Sequence, residues 1–215
     1  MPDEVVMIKA IVFDMDCVLI DAKEWHYEAL NKALGLFGYS IGHGEHLTTY
    51  DGLPTSRKLK LLSQGCGLPE VLHGFISELK QLYTAEQVIV RCKPRFVHQY
   101  ALSRLKARGY RLVLASNSIR ATVDLMMDKS DLGQYLEFSL SNQDVAAPKP
   151  APDIYVKAMQ MLGVRSDECL VVEDNEHGIQ AARAAGAHVF VVQNTDEVSL
   201  DNILNAIEKA EEGMK

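Results

Sequence analysis

Apolar and polar positions along this chain follow two different periods. Met7 to Phe13 is mostly apolar and β-rich, and it stops abruptly at Asp14-Met15-Asp16. A run of that kind reads as a central strand of a parallel sheet, buried on both faces. The pattern then turns helical, with Trp25, Leu30, Ala33, Leu34 and Phe37 on one face and Gly38 as the stop. Residues 38–54 are rich in Gly and His and read as loop. Thr55 or Ser56 is the predicted cap of a helix from Arg57 to Gln64 that Gly65 ends, and a further amphipathic helix is predicted from Pro69 to about Ala85. From Ala22 to about Cys92 helix follows helix, with no convincing strand.

Pro94 reopens a different pattern. Phe96 to Arg108 is helical and Gly109 ends it; Tyr110 to Ala115 is a strand that runs into Ser116-Asn117-Ser118. A helix over 120–129 and a short strand over 136–140 follow. The proline-rich stretch 148–152 leads into a helix from Ile154 to Leu162. Cys169 to Val172 is a strand ending in Glu173-Asp174-Asn175, then come a helix over 178–185, a strand over 188–192 and a final helix from Ser199 to about Glu211. Strands alternating with helices predict an α/β fold, a Rossmann-like doubly wound parallel sheet formed by residues 1–20 and 94–215, with an inserted all-α domain at 21–93.

Composition narrows the partners. With 215 residues and 47% hydrophobic content, the chain can bury a sizeable core, as one domain or one domain with an insertion. A formal net charge of -7 argues against nucleic-acid or membrane-surface binding. Cys17, Cys66, Cys92 and Cys169 form no CxxC pair, and the histidines show no HxH or HExxH spacing, so neither a disulfide framework nor zinc is expected. There is no secretory leader pattern and no apolar span of about 20 residues, so a cytoplasmic protein without membrane partners is expected, as a monomer or homodimer.

Chemistry collects where the strands end. Asp14 and Asp16 follow the first strand, Ser116 and Asn117 the second, Glu173 and Asp174 the fourth, and Lys149 precedes a helix. In an open parallel sheet those carboxyl ends share one edge, where ligands bind. Four carboxylates meeting there repel one another unless a cation neutralises them, and an all-oxygen set suits Mg²⁺. Lys149 adds positive charge, and Ser116 and Asn117 offer donors to phosphate oxygens.

These residues carry a resemblance. Asp14-Met-Asp16-Cys-Val-Leu, Leu114-Ala-Ser116-Asn-Ser, Pro148-Lys149-Pro-Ala-Pro-Asp153-Ile-Tyr and Val172-Glu173-Asp174-Asn-Glu-His-Gly178 stand in the order seen in the haloacid dehalogenase-like superfamily of phosphotransferases. The chain resembles its β-phosphoglucomutase-like and sugar-phosphate phosphatase branch, and the segment 21–93 resembles that family's C1 cap. The resemblance implies a Mg²⁺-dependent phosphatase acting on a small phosphorylated metabolite, a sugar phosphate foremost, through an aspartyl-phosphate. Asp14 would be the nucleophile and Asp16 the general acid and base. Asp14, Asp174 and the Asp16 carbonyl would hold the metal, with Glu173 in or near that set. Ser116 and Asn117 would bind the phosphoryl group, and Lys149 would orient the nucleophile.

Some readings stay open at this level. Glu173 is either a metal group or a salt-bridge partner. Arg57, with Lys58 and Lys60, is either part of a solvated helix face or, in Gly52-Leu-Pro-Thr-Ser-Arg57, a substrate contact. His26 either faces a site or packs, and Trp25 packs. A phosphosugar mutase would use nearly the same core residues, and a catalytically weak phosphate-binding protein is the reading from another class. Its motive is Cys17, which stands where the family usually has Gly: if that position has positive φ, Cys is unfavourable there.

Overall fold

The first four strands of the core are short, mostly apolar runs that reach a polar residue at their carboxyl ends, and the fifth runs on into a buried valine. In the computed structural model, which describes residues 7–213, these are β1 (Ala10–Phe13), β2 (Arg111–Ala115), β3 (Phe138–Leu140), β4 (Cys169–Glu173) and β5 (His188–Val191). The ends of the expected core, residues 1–6 and 214–215, lie outside the described residues. The strands form one parallel sheet in the order β3-β2-β1-β4-β5. β1 is central and all four of its residues are fully buried, which accounts for its unbroken apolar sequence. The crossover segments carry α5 (Phe96–Ala107), α6 (Arg120–Ser130), α7 (Asp153–Leu162) and α8 (Glu176–Ala184), and α9 (Leu200–Glu212) follows β5. Ala10, Val12, Val113 and Val171 on one face of the sheet pack with Ile154, Tyr155, Ala158, Ala181 and Ala182 of α7 and α8.

Register places the chemistry. Phe13 stands opposite Leu114 of β2 and Val172 of β4, so Asp14, Ala115-Ser116 and Glu173 leave the sheet side by side at one edge. β1 is shorter than the predicted run from Met7. Lys9 still joins the ladder through Lys9 N–H to Glu168 O (2.8 Å) and Arg111 N–H to Lys9 O (3.0 Å), while Met7 is exposed. β3 likewise starts later than predicted, at Phe138, although Glu137 N–H still bonds Leu112 O of β2 at 2.8 Å, while the Glu137 carboxylate accepts from the Arg111 guanidinium.

Residues Ala22–Cys92 form a second compact unit; the first runs through Asp21 and resumes at Lys93. Each join is one residue from the boundary predicted. The second unit contains helices only: α1 (Lys23–Gly35), α2 (His43–Glu45), α3 (Thr55–Cys66) and α4 (His73–Arg91). Leu30, Leu34, Ile41, Leu59, Leu62, Leu68 and Ile76 form its core. Three predictions are corrected here. The predicted loop 38–54 contains α2 and a π-helical turn at His46–Tyr50, because Ile41, His46 and Tyr50 are buried and draw the chain into turns despite its Gly and His content. α3 starts at Thr55 with no side-chain cap, and it ends on Gly67 in the left-handed region (φ 73) rather than at Gly65. Lys58 is buried, so only Arg57 and Lys60 of that basic trio stand on a solvated face. Among the described residues no helix is long and apolar enough to cross a membrane.

Candidate active site

β1 ends at Phe13, and the chain turns at once. Leu19 N–H and Ile20 N–H both return to Met15 O (3.0 and 2.9 Å), and Cys17 N–H reaches Ile20 O at 2.7 Å. Asp14 is thereby fixed at the sheet edge, where its own N–H still bonds Val172 O of β4 (3.0 Å). Asp16 sits in the turn and accepts from Ser118 Oγ at 3.2 Å.

Lys149 is the hub. Its buried Nζ donates to Asp14 Oδ1 (2.6 Å), Glu173 Oε1 (2.7 Å) and Ala115 O (2.8 Å), which uses all three ammonium hydrogens. Asn117 secures the loop that delivers it: Lys149 N–H donates to Asn117 Oδ1 (3.0 Å), and Asn117 Nδ2 donates to Lys149 O (3.3 Å). Ser116 Oγ accepts Ser118 N–H at 3.0 Å and so shapes the turn after β2.

Glu173 is saturated with donors. Beside Lys149, Oε1 accepts the Tyr155 hydroxyl at 2.7 Å, and Oε2 accepts Asp174 N–H (3.0 Å) and Asn175 N–H (3.2 Å). Glu173 is thus a salt-bridge partner of Lys149, and it also stands in the carboxylate cluster at the site, so both roles left open by the sequence have geometry behind them. Asp14, Glu173 and Asp174 each bring a carboxylate oxygen within 4.8 Å of the others, a donor set of hard oxygens that fits a divalent cation. Asp16 enters no such cluster through its side chain among the described residues. Arg57 belongs to the helical unit and is exposed in the first turn of α3, whereas the other seven expected residues belong to the core.

Electrostatics follow from the crowding. Burial pushes the Asp14 carboxyl well above the ordinary range; Lys149 pulls it back, and Glu173, Asp174 and Asp16 add to the rise. Burial alone would lower the Lys149 ammonium, but the Asp14 and Glu173 carboxylates outweigh it and hold it above its usual value. Lys149 is thus a fixed positive charge that favours the ionised form of Asp14.

The family model for haloacid dehalogenase-like hydrolases matches residues 11–192, the span from β1 to just past β5. The chain belongs to the haloacid dehalogenase-like hydrolases. It is 32% identical to protein CbbY of Rhodobacter capsulatus over 195 residues, 86% of this chain and 85% of that one. It is 26% identical to a phosphorylated carbohydrates phosphatase of Thermotoga maritima over 182 residues, 83% of this chain and 82% of the other. The crystal structure of β-phosphoglucomutase from Clostridium difficile superposes with a TM-score of 0.82 at 20% identity, covering 94% and 98% of the two chains, which shows a shared fold. This company supports a phosphoric monoester hydrolase.

Three residues of this hydrolase's core site had no role assigned from sequence. Ser118 and Tyr155 touch Asp16 and Glu173 respectively. Gly178, in the first turn of α8, lies so close to Glu173 that a Cβ there would overlap Oε1, Cδ and Oε2. A glycine at the first position of the predicted helix 178–185 was the available signal. Gly178→Ala adds the better helix former yet is expected to destabilise by about 1–3 kcal/mol, because Glu173 must leave its place. A chemical denaturation curve compared with wild type measures this.

Cys17 has φ 63 and is buried. A side chain in the left-handed region costs roughly 1–2 kcal/mol, which a glycine there would avoid at some entropic cost in the unfolded chain. Cys17→Gly is therefore expected to stabilise by up to about 1 kcal/mol. Because the turn already holds its hydrogen bonds, turnover is expected to change by less than about tenfold. Denaturation midpoints and kcat of the two proteins test both parts.

Proposed function

We propose that this hydrolase releases phosphate from a small phosphorylated metabolite, a sugar phosphate foremost, by way of an aspartyl-phosphate on Asp14 and with Mg²⁺ as cofactor. The observation that carries the reading is the buried Lys149 ammonium shared between Asp14 and Glu173 at the carboxyl edge of the sheet. A buried cation bound to one carboxylate of a crowded set aims that group and favours its ionised form, as a nucleophile requires. A structural salt bridge has no use for the additional acids at Asp16 and Asp174.

In the first half-reaction an Asp14 carboxylate oxygen forms a bond to phosphorus while the bond from phosphorus to the leaving oxygen breaks. Asp16 gives that oxygen its proton. In the second, Asp16 takes a proton from water as the water oxygen bonds phosphorus, and the Asp14 carboxylate is released with inorganic phosphate. Ser118 holds the Asp16 carboxyl, and Ser116 presents its hydroxyl to the phosphoryl oxygens. Asn117 spends its amide on the Lys149 backbone, so we read it as the clamp of that loop. Asp14 and Asp174, with the Asp16 carbonyl, would hold Mg²⁺, whose charge offsets the repulsion between an anionic nucleophile and an anionic phosphate. The relative named as a phosphorylated carbohydrates phosphatase supports the substrate class.

A panel of phosphorylated metabolites incubated with the purified protein tests the proposal. Release of inorganic phosphate in Mg²⁺ and its loss in EDTA are expected. No hydrolysis of any member and no effect of EDTA contradict the reading. Conversion of β-glucose 1-phosphate to the 6-phosphate, without free phosphate, moves it to a mutase.

A further inference from the structure

We infer that Tyr155 is a positioning residue for phosphoryl transfer, its hydroxyl and ring face fixing Glu173 and Lys149 so that the ammonium stays on Asp14. The inference rests on the function proposed for the core site. Tyr155 is fully buried in the first turn of α7, six residues beyond Lys149. Its hydroxyl donates to Glu173 Oε1 at 2.7 Å, the same oxygen that accepts Lys149 Nζ at 2.7 Å. The Lys149 Nζ also stands 4.8 Å from the centre of the Tyr155 ring. One side chain thus touches both members of the ion pair.

Two effects follow. Oε1 carries two donors, so the tyrosine hydroxyl draws off part of the charge that would otherwise pull the ammonium toward Glu173. The Lys149–Asp14 bond, at 2.6 Å, is then kept rather than surrendered to a stronger competitor. The ring meanwhile supplies an attractive face to a cation whose three hydrogens are already committed to oxygens.

Tyr155→Phe keeps the ring and its packing and removes only the hydroxyl. Tyr155→Leu removes the cation-facing ring as well. Kinetics with p-nitrophenyl phosphate in Mg²⁺, inhibition by inorganic phosphate and thermal melting are measured for both. Tyr155→Phe is expected to fold and to lower kcat by about tenfold or more, the loss of one hydrogen bond to a charged group. KM and the phosphate inhibition constant are expected to stay within about twofold, because Tyr155 acts through Lys149. Tyr155→Leu is expected to lower kcat further. A structural role alone would move the melting temperature and leave kcat in place. A folded Tyr155→Phe with kcat within about twofold of wild type, or with the loss falling on KM, overturns the inference and leaves the proposed function standing. Wild-type protein inert in Mg²⁺ toward p-nitrophenyl phosphate and toward every member of the metabolite panel overturns the proposed function and this inference with it.

Discussion

Asp14→Asn is expected to abolish turnover, by about 10⁴-fold or more. The amide is nearly isosteric and can still accept from Lys149, so the hub keeps its shape. On the proposed mechanism, what is lost is the negative oxygen that would form the bond to phosphorus, and the remaining groups would still bind phosphate but have no covalent path. Stability is expected to move the other way. Burial and the acids at Glu173, Asp174 and Asp16 make the Asp14 carboxylate an unfavourable charge despite Lys149. Its neutral counterpart is therefore expected to melt no lower than wild type in EDTA. Loss of activity with a retained melting temperature separates a missing nucleophile from a damaged fold.

Lys149→Met is expected to fail on both counts. It removes the cation between two buried carboxylates, 2.6 Å from one and 2.7 Å from the other, and leaves the Ala115 carbonyl without that donor. Breaking a buried ion pair from one side costs about 3–5 kcal/mol, because the surviving charge remains desolvated. Here two survive. Turnover is expected to fall by about 10³-fold, as when a preorganised electrostatic group is removed from a reacting centre. Denaturant unfolding in EDTA measures the first effect, and kcat in Mg²⁺ measures the second. Comparison with Asp14→Asn is informative: both are inactive, but only Lys149→Met is expected to be unstable.

The α/β architecture was readable because strands buried on both faces leave little choice of residue. β1 and β4 are apolar to the point where they deliver Asp14 and Glu173, and that change marks the edge of the sheet. Segment ends were less readable. Lys9 bonds into the ladder yet lies outside β1, and residues 43–50 fold into turns around buried His46 and Tyr50 although their composition favours a loop. Lys58 shows the limit of judging a helix face by charge, since packing rather than polarity decides which side is covered. At the site, the residue types and their order pointed to Asp14, Lys149, Glu173 and Asp174 meeting at one edge. The contacts of Tyr155 and Gly178 with Glu173 were not visible. They depend on how α7 and α8 pack against the end of β4, and no spacing in the chain encodes that. Asn117 was expected at phosphate, but only the fold reveals that its amide faces the Lys149 backbone, 32 residues on.

The central claim is that Asp14 carries the phosphoryl group between substrate and water. It is tested most directly by acid-quenching the enzyme during turnover of a phosphate-radiolabelled substrate and mapping the protein-bound label. The account predicts a label that is labile to base, as an acyl phosphate is, located on the peptide containing Asp14 and absent from Asp14→Asn. An enzyme that turns over while holding no label, or that carries it on another residue, would contradict the account.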